Sequence, residues 1–257
     1  MLFGICGGPE TGPLARAAGY DYLEINVAAH LQGEASDEVF APILAQIQQA
    51  GLPCLAANVF VPGHLKITGP TVDFPRLTRY LETVCRRAEQ AGVRTIVFGS
   101  GGARRIPEDF DRSKAYAQLV EFGRKAATLA KLHGITLAVE PLNRGETNVI
   151  NSVAEGLQYA RDVNQPGMRV LVDAYHWAKE NEPAADIVAA GGWLEHSHIA
   201  TYAGRMPPGG EACDFAPFVQ ALKQAGYAKR ISVEAGWQDL AAQAAPALQL
   251  LRGLFAA

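Results

Sequence analysis

The sequence predicts a single (β/α)8 barrel over residues 1–257, and two observations carry that prediction. Eight short β-like runs alternate with helix-like segments along the whole chain, and no Pro/Gly/Ser-rich linker divides it into two compositional regimes. The last four runs each carry, at or beside their end, a residue able to hold a divalent cation: Glu140, Asp173, His198 and Glu234. Successive members lie roughly 25–36 residues apart, the length of a strand with its returning helix. A doubly wound open sheet would not gather these four strand ends around one point. A closed parallel barrel brings them to its C-terminal mouth, where such barrels keep their chemistry.

The strand candidates are residues 2–6, 22–27, 53–60, 94–100, 136–142, 169–175, 194–200 and 230–235, each apolar and bounded by turn-forming residues. Helical periodicity fills the gaps. Leu44, Ile47 and Gln48 precede Ala50-Gly51, and Leu77, Tyr80, Leu81 and Val84 mark one helical face before Gly92. The next long helix is expected from near residue 108 to residue 133, with Gly134 past its end and His133 in its last turn, where a cation is favoured. An Ala-Gly pair recurs at 18–19, 50–51, 91–92, 190–191 and 225–226, usually a few residues before a strand, as expected for helix stop, short loop and strand.

Composition narrows the function classes. With 49% hydrophobic residues the chain can build a full core. Lys and Arg number 23 against 26 Asp and Glu, for a net charge of −3, so no overall basic field attracts nucleic acid or an anionic membrane. Cys6, Cys54, Cys85 and Cys213 form no C-x-x-C pair and read as reduced, mostly buried thiols. The start MLFGICGGPE lacks a positive leader region, and its apolar stretch is too short for a membrane span. These features predict a cytoplasmic protein with no nucleic-acid or membrane partner.

Three carboxylates and one imidazole form a mostly oxygen donor set, better suited to Mn²⁺, Mg²⁺ or Co²⁺ than to structural zinc. A carboxylate at one strand end is ordinary as a helix cap or surface ion; four ligand types in register on consecutive strands are not. Further candidates stand nearby. His176 lies just past the sixth run and is placed to touch a ligand or a substrate oxygen. Arg205 sits in the Gly/Pro-rich loop 203–210, long enough to fold over the mouth, and His64 after the third run is a weaker candidate of the same kind. His196 points the same way as His198 in an extended strand and is expected one layer deeper, in a structural role. The loop 99–105 offers backbone N–H groups, Arg104 and Arg105 as an anion cradle, although it lacks the Lys-Ser/Thr ending of a P-loop.

The segment Glu140-Pro-Leu-Asn-Arg-Gly-Glu-Thr-Asn148, Val-Asp-x-x-His around Asp173, His-x-His ending at His198, a loop arginine, and Ser-Val-Glu ending at Glu234 together resemble the xylose isomerase-like sugar (phosphate) isomerase/epimerase superfamily, in particular its ketose 3-epimerase branch. The likeness extends over most of the chain and is most specific from Glu140 onward. It implies a barrel binding one divalent metal ion (Mn, Co or Mg) through Glu140, Asp173, His198 and Glu234, with Glu140 and Glu234 also acting as acid and base on opposite faces of a small sugar or sugar-derived substrate. It further implies that Glu146, His176 and Arg205 contact substrate hydroxyls, and that the protein is a homo-oligomer, dimer or tetramer.

Two departures bear on which sugar is taken. Ala-Tyr-His-Trp follows Asp173 where Thr-Phe-His-Met is common, and the stretch from His198 to Arg205 is one residue longer than usual. The implied reaction removes a proton next to a carbonyl and passes through a metal-stabilised cis-enediolate. Return of the proton on the other face is epimerisation, and return at the adjacent carbon is aldose–ketose isomerisation. A lyase, decarboxylase or dehydratase on a sugar-derived keto acid needs the same stabilisation and is the main alternative. A DNA endonuclease and a non-catalytic sugar-binding barrel are less consistent with the histidine count and with three converging carboxylates.

Overall fold

The computed structural model describes residues 1–256. Its eight strands are β1 (Leu2–Cys6), β2 (Tyr22–Asn26), β3 (Cys54–Asn58), β4 (Thr95–Phe98), β5 (Thr136–Val139), β6 (Met168–Asp173), β7 (Leu194–Ile199) and β8 (Arg230–Val233). They pair in parallel in sequence order, and β8 returns to β1 to close the barrel. The helices around it are α1 (Gly12–Ala18), α2 (Asp37–Gln48), α3 (Phe74–Gln90), α4 (Gly101–Arg104), α5 (Arg112–Leu132), α6 (Val153–Val163), α7 (Ala174–Lys179), α8 (Ala184–Ala190), α9 (Ala216–Gln224) and α10 (Leu240–Ala256). None of the described helices is long and apolar enough to cross a membrane.

The expected (β/α)8 architecture is therefore the observed one, but most strands stop short of the apolar runs that predict them. Residues 53–60 shrink to Cys54–Asn58 because Val59 takes a positive φ of 53°, which no ladder accommodates. Residues 94–100 shrink to Thr95–Phe98, with Ser100 at φ 45°. The hydrophobicity beyond those points has another use: Phe60, Val61 and Leu142 are buried, packing the loops onto the barrel rim. The long helix starts at Arg112 rather than near residue 108. Asp111 caps it by accepting the Lys114 N–H at 2.8 Å, while a turn from Pro107 to Phe110 occupies the residues before it.

Helix α3 buries the face that its periodicity predicts, Leu77, Tyr80, Leu81 and Val84, and Gly92 beyond it adopts φ 83° to end the helix and turn the chain toward β4. The core lies between barrel and helices. Phe98 of β4 packs against Phe60 (6.0 Å), Phe122 of α5 (5.5 Å) and Tyr159 of α6 (6.3 Å), and the Tyr159 hydroxyl donates to the Leu119 carbonyl at 2.9 Å. Burying an aromatic ring of this kind contributes about 1.5–3 kcal/mol. Inside the barrel, Tyr22 lies opposite Gly4 in register, and a Cβ on Gly4 would stand 2.2 Å from the Tyr22 ring. The glycine is thus the space in which the barrel's central tyrosine lies.

Candidate active site

The four predicted ligands converge. Asp173 closes β6 and His198 is the next-to-last residue of β7, paired with it in register. Glu140 and Glu234 stand one residue beyond β5 and β8, each still tied to the neighbouring strand by its N–H, to the Phe98 carbonyl and the Ile199 carbonyl, both at 3.2 Å. One donor atom from each of the four lies within 4.8 Å of every other. His198 Nδ1 is at the centre, 3.2 Å from Glu140 Oε1, 3.4 Å from Glu234 Oε2 and 3.8 Å from Asp173 Oδ2.

Asp173 divides its carboxylate between two tasks. Oδ1 accepts the N–H groups of Tyr175 (2.6 Å) and His176 (3.0 Å), capping α7. Oδ2 is buried without any hydrogen-bond partner among the described residues and faces the cluster. The nearest cationic nitrogens, of His198 and Arg205, stand 3.8 and 3.7 Å away, beyond hydrogen-bond reach, so this buried oxygen beside two further carboxylates has room for a closer positive charge. The donor set of three carboxylates and one imidazole, with this unpartnered oxygen among them, fits a divalent cation.

The local electrostatics are dominated by mutual proximity. Burial opposes charge on His198, yet Glu24, Glu234 and the hydrogen bonds of Glu140 and Glu234 hold its pKa well above the ordinary imidazole value. Burial raises the Glu140 carboxyl. Burial pushes Glu234 the same way, but His198 and Arg205 override it and hold that carboxyl below the usual range. Asn58, at the end of β3, fixes the orientation of Glu234 by donating to Oε1 at 2.9 Å.

Arg205 does reach the mouth. It takes φ 53°, its carbonyl accepts the Gly236 N–H at 2.8 Å, and its guanidinium stacks over the Tyr175 ring at 4.8 Å. From there it pairs with Glu234 and stands 3.7 Å from Asp173 Oδ2 and 3.6 Å from Glu146 Oε1. His176 is buried; its Nδ1 takes a 2.8 Å hydrogen bond from Asn143 Nδ2, so its proton is on Nε2, which has no hydrogen-bond partner among the described residues and lies 3.9 Å from Glu146 Oε2. His176, Glu146, Arg205, Glu140, Glu234 and Asn58 all line one cavity of about 280 Å³.

His64 is not brought into this group. Its side chain is 59% exposed and pairs with Glu34 at 2.8 Å, because the loop after β3 turns Gly63 toward the cavity and His64 away. The arginine cradle is not formed either. Arg104 is fully buried and spends its guanidinium on the carbonyls of Phe98 (3.0 Å), Glu140 (2.8 Å) and Ile150 (3.2 Å), leaving Arg105 exposed by itself. His196 sits one layer below His198, as its spacing implies, with Nε2 2.7 Å from Glu24 Oε2.

Glu24 and Asn58 are the site residues that the strand-end pattern passes over. Glu24 is an ionisable residue inside the apolar run Tyr22-Leu23-Glu24-Ile25, and that interruption was the available signal. Asn58 had only its place at the end of a strand.

Comparison with known proteins bears on this geometry. The family model described as a xylose isomerase-like TIM barrel matches residues 13–254. The chain belongs to that family. Within it, the chain is 37% identical over 232 residues to an L-ribulose 3-epimerase of a Methylomonas species, covering 86% of this chain and 75% of the relative. It is 29% identical over 208 residues to a D-psicose 3-epimerase of Agrobacterium fabrum, covering 78% and 69%. The fold superposes on the crystal structure of a D-allulose 3-epimerase from a Methylomonas species in complex with D-allulose, with a TM-score of 0.84 at 24% identity over 98% of this chain and 96% of that one. These named relatives of the family are epimerases, which are isomerases.

Proposed function

We propose that the chain is a divalent-metal-dependent ketose 3-epimerase. The observation that carries this reading is the convergence of Glu140, Asp173, His198 and Glu234 on one point at the barrel mouth, with an unpartnered carboxylate oxygen among them, beside a cavity that Glu140 and Glu234 line together with His176, Glu146 and Arg205. The names of the relatives supply the reaction class, and the geometry supplies residues able to perform it.

In this reading Glu140, Asp173, His198 and Glu234 hold one Mn²⁺, Co²⁺ or Mg²⁺ ion. When bound, the cation supplies electrostatic stabilisation of the negative charge that develops on the carbonyl oxygen as the neighbouring C–H proton leaves. One of Glu140 and Glu234 takes the proton from C3 of a 2-ketose, the C–H electron pair moving toward the C2 carbonyl; the other gives a proton to the opposite face of C3. One C–H bond breaks and one forms, so no oxidant is required. Asn58 and Arg205 aim Glu234, which keeps its carboxylate in place between the two half-reactions. The His176 Nε2–H and the Glu146 carboxylate meet substrate hydroxyls, and the loop carrying Arg205 keeps water from the mouth.

The deciding experiment is incubation of Mn²⁺-loaded protein with ketopentoses and ketohexoses in D₂O. Deuterium at C3 together with the C3 epimer, abolished by chelation and by Glu234→Gln, is the expected result. Product without label at C3, or retention of near-normal rate in Glu234→Gln, would refute the mechanism.

A further inference from the structure

Beneath the four ligands lies a second buried cluster of hydrogen-bonded polar side chains. Glu24, in the middle of β2, is fully enclosed by the barrel and receives three hydrogen bonds. Its Oε1 is 2.8 Å from His198 Nε2; its Oε2 is 2.7 Å from His196 Nε2 and 2.6 Å from Ser232 Oγ. The Tyr22 hydroxyl stands 2.8 Å from the same Ser232 Oγ. A carboxylate only accepts, so both imidazoles direct an N–H at Glu24; Ser232 gives it the hydroxyl proton and in turn accepts from Tyr22. All three donors therefore have their direction fixed by one acceptor.

We propose that Glu24 is a positioning residue of the cation site: by taking the Nε2 proton of His198 it fixes the ring so that the Nδ1 lone pair faces Glu140, Asp173 and Glu234. The inference rests on the reading of those four residues as the ligand set. It follows from the two ends of one ring. Nδ1 is the atom nearest the three carboxylates, and a ligating imidazole holds its tautomer by donating its other N–H to a carboxylate or carbonyl. Glu24, His196 and His198 also lie close enough together to resemble a cation site of their own. They are not one, because each imidazole nitrogen facing Glu24 carries a proton and offers no lone pair.

Glu24→Gln isolates the effect. The amide has one accepting and one donating end, so one side must now meet an N–H₂. If that side is the Oε1 position, His198 alone rearranges, moving its proton to Nδ1, where it blocks the cation. If it is the Oε2 position, both Ser232 and His196 must rearrange, and the displaced His196 proton lands on an Nδ1 that is buried with no acceptor. The first route disturbs fewer groups, so the variant inverts the His198 tautomer.

The test measures Mn²⁺ affinity by the EPR signal of the free ion, alongside circular dichroism and melting. The expected result is a folded Glu24→Gln that binds Mn²⁺ about 10–100-fold more weakly than wild type. Histidine-¹⁵N NMR of the wild-type protein loaded with Mg²⁺ supplies a second readout, needing no variant: His198 must show a proton on Nε2. Wild-type Mn²⁺ affinity in Glu24→Gln, or a His198 proton on Nδ1 in the loaded wild type, would overturn the role of Glu24 and leave the ligand set standing. A wild-type protein that takes up no Mn²⁺ would instead remove the ligand set, and this inference with it.

Discussion

Replacing Arg104 by methionine keeps most of the side-chain volume and removes the guanidinium. In the structure that group is fully buried and donates to three main-chain carbonyls, among them that of Glu140. Loss of a partner costs a buried acceptor about 1–3 kcal/mol, so three acceptors set a gross penalty of about 3–6 kcal/mol after relaxation. An opposing term is visible in the arginine itself. Burial lowers its pKa to about 10 from an ordinary 12.5, so keeping it charged at pH 7 costs about 3 kcal/mol, which the methionine does not incur. The balance is a loss of up to about 3 kcal/mol, or a fall in Tm of up to roughly 10 °C for a chain of this length. Calorimetry at pH 7 gives the stability, and a Mn²⁺ titration gives the local consequence, since the Glu140 backbone has lost its anchor. Cation affinity should fall with stability, while inhibition by inorganic phosphate should match wild type. An unchanged Tm with a selective loss of phosphate inhibition would refute this reasoning and restore the anion cradle that the sequence of this loop suggests.

Three further outcomes follow from the geometry. Because neighbouring carboxylates keep His198 protonated well above the ordinary imidazole pKa, a cation must displace a proton from Nδ1; Mn²⁺ addition in weak buffer should release about one proton per ion, and affinity should rise with pH until His198 is neutral, whereas no proton release near pH 7 would contradict the assignment. Glu182 is 9% exposed and burial pushes its carboxyl up to about 7, so the native state holds that proton more tightly than the unfolded chain; its contribution is complete below about pH 4.5 and is lost as pH rises through 7, and Glu182→Gln should gain about 1–3 kcal/mol over wild type at pH 8 relative to pH 5 in urea unfolding, equal differences at both values counting against it. Gly4→Ala places a methyl against the Tyr22 ring, whose hydroxyl is held by Ser232, and should cost about 3 kcal/mol, with partial recovery in a Gly4→Ala/Tyr22→Leu double variant; additive losses in that pair would show that the contact is not the cause.

Much of the barrel was legible because its signals are local and repeated. Each strand announces itself as an apolar run, and several helix stops are marked by a glycine just beyond them, as at Gly92 and Gly134. The convergence of the four candidate ligands was legible for the same reason: a strand end in a closed parallel barrel is a known place, so position was enough to bring them together. What could not be read was the direction taken by side chains in loops and the pairing of residues remote in sequence. His64 and Arg104 each follow a strand, as the ligands do, yet a single turn of backbone sends one to Glu34 and the other under Glu140. Strand ends were overextended because a buried rim loop is as apolar as a strand, and only a positive φ such as that of Val59 separates them. Glu24 and His198 lie on strands far apart in the chain, and only closure of the barrel brings them together.

The divided carboxylate of Asp173 has a consequence for how the sequence tolerates change. Oδ1 starts a helix and Oδ2 faces the ligand cluster, so the residue answers to two selections at once. Asparagine retains an oxygen for the helix but loses the charge; glutamate retains the charge but moves it one methylene away from the short ring that caps α7. No exchange among the twenty side chains meets both demands. In a library covering every position, this one should admit no functional replacement, and second-site changes that restore folding should leave it just as intolerant.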